Sequence, residues 1–304
     1  MNRNSSPSTP LTPPDNLTSA DKVTNNSSPL QENGELFRPE DEYTAEEQAI
    51  IDQAKVNSTY LKAPNGKDTK LTPKQWAQAR TQAFKNWFGD WELVFKKDFL
   101  LNGSPVKSLT GNEFARVANK NLTDQVEEYF ESIGNIAHSP LYGDVILDRD
   151  GADDSLAHGM GRTKAIAYAA VKEVIEAGVL IDYHNNHKGR GYDSAVISAP
   201  IEIGGERFVC NVVIHKNHVN NKFYLHEVTQ QKNLLDEVFL ANLAQKPTSS
   251  GDLAKLLQNI VTANNFASKV VDENGEPLVV YHGTKAEFAI FDASHNHKAN
   301  KCFF

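Results

Sequence analysis

Two runs of alternating apolar residues, Tyr192 to Ile203 and Phe208 to His215, are separated by Gly204-Gly205, and nothing else in the chain constrains its fold as strongly. In the first run Ala195, Ile197, Ala199 and Ile201 recur at every second position; in the second, Phe208, Cys210, Val212 and Ile214 do. A period of two places these side chains on one face of a strand. Paired glycines supply the positive φ that both central positions of a two-residue hairpin require. A shorter run, Val179 to Tyr183, precedes this hairpin, and another, Phe223 to Thr229, follows the Asn220-Asn221 turn. Ahead of them all, Thr163 to Ala177 carries Ile166, Ala170, Val171, Val174 and Ile175 on one helical face and meets the stop residue Gly178. The expectation is an α+β fold, a helix packed on an antiparallel four-stranded meander with flanking helices, one sheet face covered and the other open to a ligand.

The rest of the chain divides around that unit. Residues 1–40 are rich in Ser, Asn, Thr and Pro and hold too few large apolar groups to offset the entropy of ordering, so they read as a disordered tail. Residues 41–102 read as a helical connector. Thr44 caps a helix to Gln53, and Thr72-Pro73 opens another in which Trp76, Arg80, Phe84 and Trp87 follow at helical spacing, up to Gly89. Core packing is the ordinary role of Trp76, Phe84, Trp87 and Trp91. The α+β module spans 103–232 and includes an amphipathic helix from about Gly111 to Ile133, a strand Asp144 to Leu147 and a polar turn Asp148 to Gly151. Leu234 to Leu243 and Leu253 to Asn264 form a helical extension over 233–266, ahead of a last segment, 267–304.

Composition narrows the chemistry. No apolar run is long enough for a secretory leader or a membrane span, so no membrane partner is expected and the reading is a soluble, cytoplasmic protein. Two cysteines, Cys210 and Cys302, make neither a disulfide framework nor a zinc cluster, and no metal or cofactor is expected. The net charge of −8 argues against a generally basic coat for nucleic acid and leaves room for a local basic patch. Six of the ten histidines (His158, His184, His187, His215, His218 and His226) fall between His158 and His226, inside the α+β module.

Within that histidine-rich stretch, several groups suit phosphate chemistry. His158 stands in a glycine-punctuated segment, Ala157 to Lys164, where backbone can approach a ligand closely. The loop His184 to Gly191 carries Lys188 and Arg190 among glycines, a composition suited to an anion. Tyr224 and His226, two apart on one strand, share a face, while Phe223 and Leu225 take the other. Metal-free RNA cleavage needs a base for the 2′-hydroxyl, an acid for the leaving 5′-oxygen and a cation for the phosphorane. His158 and His226 are the candidate acid and base, in either order, with Tyr224 orienting and Lys188, Arg190 and Lys164 on phosphate. The competing reading is a non-enzymatic module whose basic loop docks on a host protein or nucleic acid.

Resemblance adds a setting. Lys70-Leu71-Thr72-Pro73-Lys74-Gln75-Trp76, continuing through Arg80-Thr81 to Trp87-Phe88-Gly89-Asp90-Trp91-Glu92, resembles a connector of large polyvalent proteins of phages and other mobile elements. Ala267 to Pro277, running into Tyr281-His282-Gly283-Thr284 and Phe288 to Asp292, resembles the start of their ADP-ribosyltransferase-type domain. The segment between, notably Gly143-Asp144-Val145, His158-Gly159, Lys188-Gly189-Arg190 and Phe223 to Val228, is similar to modules grouped with the barnase, EndoU, colicin and RelE-like ribonuclease fold. These resemblances imply an RNA-cleaving or toxin-like module acting on host RNA or tRNA in the host cytoplasm. They also imply an NAD-binding remnant at His282, Gly283 and Thr284. The later aromatic strand and catalytic glutamate of that family have no counterpart before Phe304, and Cys302 stands where the family has glycine ahead of Phe303-Phe304. ADP-ribosyl transfer by this chain alone is therefore not expected, and a degenerate, truncated transferase is the third reading.

Overall fold

The computed structural model describes residues 43–157, 165–232, 257, 259–260 and 271–278, all within the unit Leu36–Phe304. The expected disordered tail, most of the helical extension, and the His282-Gly283-Thr284 element lie outside the described residues.

The chain enters through α1 (Ala45–Val56), capped by a reciprocal pair in which Thr44 Oγ1 accepts from the Glu47 amide and Glu47 Oε2 accepts from the Thr44 amide at 2.7 Å. The expected single helix beginning at Pro73 is two, α2 (Pro73–Gln78) and α3 (Gln82–Phe88). Thr81 ends one and caps the next, its side chain accepting from the Phe84 amide. This restart changes the helical phase. Trp76 and Trp91 are buried as expected, whereas Trp87 is 67% exposed and takes no part in the core. α4 (Trp91–Asn102) then leads into the α+β module.

That module is built on one seven-stranded sheet: β1 (Ser108–Leu109), β2 (Ile136–Ser139), β3 (Gly143–Ile146), β4 (Val179–His184), β5 (Tyr192–Ile203), β6 (Glu206–Asn217) and β7 (Phe223–Gln231). The expectation of a four-stranded antiparallel meander is corrected: the sheet is mixed, ordered β1-β5-β6-β7-β3-β2, with β4 also pairing β5. The short strands make the difference, β1 running parallel to the end of β5 and β3 parallel to the start of β7. Gly204 (φ 59°) and Gly205 (φ 81°) form the tight turn between the two longest strands, whose pairing is unbroken from Tyr192 opposite Asn217 to Ile203 opposite Glu206.

Other elements also depart from their expected bounds. The Gly111 to Ile133 helix shortens to α5 (Leu122–Ser132), with Asn121 as N-cap after Asn119 turns the chain at φ 61°. The polar turn at Asp148 instead starts α6 (Arg149–Ala157), for Asp148 Oδ1 accepts from the Gly151 amide. The described part of the Thr163 to Ala177 helix is a 3₁₀ turn, Ile166–Ala170, followed by α7 (Val171–Ala177).

Two cores lie on the two sides of the sheet. Ala195, Ile197, Ala199, Ile201, Val212 and Ile214 belong to the larger one, which is filled from the helical side by Val126, Phe130, Tyr168 and Val174. Burying Val126 and Phe130, at 0% and 1% exposure, contributes roughly 1.5–3 kcal/mol each. On the other side Val179, Ile181, Val196 and Val209 pack with Leu100 of α4 and with Leu257 and Ile260. The second face is therefore covered at one end, and a polar row, the buried Ser198 and Asn211 and the half-buried Thr229, crosses it between Val196 and Val209. Period-two continuation past Val196 and Val213 brings Ser194, Tyr192 and His215 onto the same face toward the far end.

Candidate functional site

At that far end the second face carries a row of aromatic rings across neighbouring strands. The His215 ring on β6 is stacked on Tyr192 of β5 at 4.1 Å between centroids and on His226 of β7 at 3.8 Å. The row continues from Tyr192 to His187 at 5.9 Å and on to His184 at 5.3 Å. Tyr224 stands opposite His215 in the β6–β7 register, and its hydroxyl accepts from Asn220 Nδ2 at 2.8 Å.

His226 owes its place to an irregularity. Ile214 pairs with Leu225 and Val213 with Glu227, so His226 is the extra residue of β7 at this register shift. Core positions on β7 are accordingly Phe223, Leu225 and Val228, the last interval being three instead of two. A β-bulge of this kind re-aims a side chain while the rest of the strand keeps its pairing.

The loop between β4 and β5 brings the cations. Asn186 (φ 46°) and Lys188 (φ 51°) are both left-handed, a conformation that costs a lysine about 1–2 kcal/mol. Several local bonds hold the loop in that shape. Asp193, 6% exposed, accepts from the Asn186 amide at 2.9 Å and from the Tyr183 hydroxyl at 2.8 Å, and lies 2.7 Å from His218 Nε2. Asn186 in turn accepts from the Gly191 amide through its side chain, at 3.0 Å. Burial alone would raise the Asp193 carboxyl; hydrogen bonds from Asn186, His218 and Tyr183 outweigh it and hold the group below its ordinary value. Neither Lys188 nor Arg190 makes an ion pair with a described residue.

The electrostatics of the rings follow from this. Burial first, then the charges of His226, His187 and Arg190, push the His215 imidazole down to about 3, so His215 is neutral at neutral pH. His187 is also lowered, by burial and by the neighbouring Lys188, His184 and Arg190, with Asp182 opposing. Asp182 itself faces His184, Oδ2 to Nε2 at 2.7 Å. The arrangement is a partly desolvated imidazole stack with two cations beside it and the Asp182 carboxylate at one end.

Of the residues singled out in the sequence, Lys188, Arg190, Tyr224 and His226 fall on or beside this ring row. His158 and Lys164 lie outside the described residues. His215 and Tyr192 join the row without having been singled out. A partial signal existed: His215 follows Val213 in the alternation, on the face away from Ile214, although counting back from Asn220-Asn221 as a two-residue turn does not give the observed register against Tyr224. The bulge that stacks it on His226 has no such signal.

A cleft of about 270 Å³ lies elsewhere, against α5 and β3, lined by Glu127, Glu131, Asn135, Asp148 and Arg149 among others. Its one guanidinium is already held by Asp124 at 3.0 Å and Glu127 at 2.7 Å, which suits it poorly to an anion. Among the described residues no group of three or more His, Cys, Asp or Glu is placed to hold a metal ion. No described helix is long and apolar enough to cross a membrane.

Fold and site together define an α+β module whose mixed sheet carries a row of aromatic and imidazole rings at one end. Residues 118–224 match the family described as Large polyvalent protein-associated domain 3, which associates the chain with large polyvalent proteins. The match covers about a third of the chain and contains Lys188, Arg190, Tyr192, His215 and Tyr224, with His226 just beyond it. No curated protein and no solved structure matches the chain.

Proposed function

We propose that this is a phage or prophage polyvalent-protein module that cleaves host RNA or tRNA without a metal ion, in the host-cell cytoplasm. The observation that carries the reading is the His215–His226 stack at 3.8 Å, set beside a loop whose lysine and arginine make no ion pair with a described residue. In the reaction a base takes the 2′-hydroxyl proton, the 2′-oxygen attacks phosphorus, and the 5′-oxygen leaves with a proton from the acid. The products are a 2′,3′-cyclic phosphate and a 5′-hydroxyl end. His226 and His158 are assigned the two proton transfers. His215, uncharged and packed against His226, keeps a second positive charge away from that ring. Lys188, Arg190 and Lys164 take the phosphate charge, and Tyr224, fixed by Asn220, orients it.

The test is incubation of the full chain with total RNA and with tRNA in EDTA, followed by analysis of the ends. Cyclic phosphates are expected, lost by roughly 100-fold or more in His226→Ala with the fold intact. Uncut RNA from the wild-type chain overturns the reading.

The net charge of −8 favours a second reading, a non-enzymatic module whose Lys188–Arg190 loop docks on a host protein or nucleic acid. That reading predicts binding that depends on Lys188 and Arg190 and is indifferent to His226→Ala. A degenerate transferase remnant at His282, Gly283 and Thr284 would bind NAD without turnover, which a labelling assay checks.

A further inference from the structure

The turn Asp272–Pro277 lies against the helical connector, about two hundred residues earlier in the chain, through a set of polar contacts. At their centre is Arg80. Its guanidinium lies 4.0 Å from the Trp76 ring centroid and 5.0 Å from that of Trp91. Each nitrogen has an acceptor: Nε faces Glu92 at 3.1 Å, Nη1 the Trp76 carbonyl at 3.1 Å, and Nη2 both the Lys62 carbonyl at 3.1 Å and Glu276 at 3.0 Å. Glu276 comes from the turn, is 1% exposed, and also accepts from the Thr69 hydroxyl. Two further bonds flank it, Asn65 to Asn274 at 3.0 Å and Lys70 to Glu273 at 2.6 Å.

The turn is shaped for the seat. Asp272 Oδ1 accepts from the amides of Asn274 and Glu276, and Val271 bridges Pro277. Gly275 has φ 82° and lies so close to Phe95 that a Cβ there would overlap the ring. Charge, shape and backbone conformation all discriminate, as they do where a peptide is recognised.

We infer that the connector around Arg80 is a recognition site for an acidic Glu-Asn-Gly-Glu turn, occupied here by residues 271–278 of the same chain and able to take the same turn in trans. The site fastens whatever follows Pro277 to the connector, independently of the sheet and of any RNA chemistry. Trp76 and Trp91 report on it directly, and the third tryptophan, Trp87, is exposed and serves as the control.

The experiment follows the three indole N–H resonances in the full chain. Gly275→Ala and Glu276→Ala both leave every connector residue in place, so neither removes the receptor. Each is expected to shift the Trp76 and Trp91 signals, leave Trp87 and the strand amides of 192–231 where they are, and speed exchange at the 272–276 amides about tenfold or more. Adding a synthetic peptide of residues 268–280 to either variant restores the Trp76 and Trp91 positions, while the wild-type chain, already occupied, does not respond. Unmoved Trp76 and Trp91 signals in both variants, or a peptide without effect on them, overturn the inference. So does loss of the strand amides, which would make the turn part of one cooperative core instead of a docked ligand.

Discussion

The connector and the ring row treat positive charge in opposite ways. In the connector Lys74 meets Glu47 at 2.8 Å with both ends buried, Arg80 meets two glutamates, and Lys85 meets Asp90 and Glu92. At the far end of the sheet Lys188 and Arg190 make no ion pair with a described residue, and they help hold neighbouring imidazoles uncharged. Charges satisfied within the chain stabilise and specify a shape; charges left beside a desolvated ring stack are available to an external anion. One region is read by removing a partner, the other by adding one.

The largest effect expected on stability is therefore at Arg80. Arg80→Met leaves the buried Glu276 without its cation, while Glu92 keeps Lys85, and a loss of about 3–5 kcal/mol is expected in denaturant unfolding. Arg190→Met should change the same measurement by no more than about 0.5 kcal/mol. If the two losses are similar, the contrast between the regions fails.

The second effect is in binding. If the loop serves phosphate, Arg190→Ala and Lys188→Ala each reduce the dependence of log affinity on log salt for single-stranded RNA by about 0.7. Unchanged slopes would remove both residues from the phosphate path.

The third is a pH effect with a definite sign. The unfolded chain protonates His215 near 6.5, whereas the folded chain resists until about 3. Between those values the unfolded state binds the extra proton. Stability from this group is thus full above about 6.5 and falls as the pH drops toward 3. His215→Phe, which keeps a ring in the stack, should flatten that acid limb; an unchanged limb would mean His215 is not the group responsible.

The smallest concerns backbone strain. Lys188→Gly relieves a left-handed lysine and should leave stability within about 1 kcal/mol of wild type, while RNA binding weakens as it does in Lys188→Ala.

Much of this could be read from the chain itself. The long hairpin was legible because period-two alternation on both sides of Gly204-Gly205 admits one register. Thr44, Thr72 and Gly178 marked helix ends because capping is local chemistry. The sheet's mixed character was not legible. β1 has two residues and β2 and β3 four each, too short to show a period, and they are recruited by pairing with longer strands. Trp87 misled for a related reason: helical spacing across Arg80 and Thr81 assumed a continuous helix, and a cap restarted it. At the site, Lys188, Arg190, Tyr224 and His226 could be named from residue type and face. Their relation through His215 could not, because it rests on a pairing irregularity between Val213 and Ile214 that no local pattern announces.

That irregularity has a consequence for how the strand can change. β7 keeps two reading frames, one ahead of His226 and one behind it, and both Leu225 and Val228 reach the same core only because a residue has been slipped in between. Deleting His226 would leave a strand whose alternation runs true from Phe223 onward, with each later residue opposite its natural partner and nothing left over. A single-codon deletion, a change that ruins most strands, would here tidy the sheet and erase the site, so the two can be separated without touching any residue of the core.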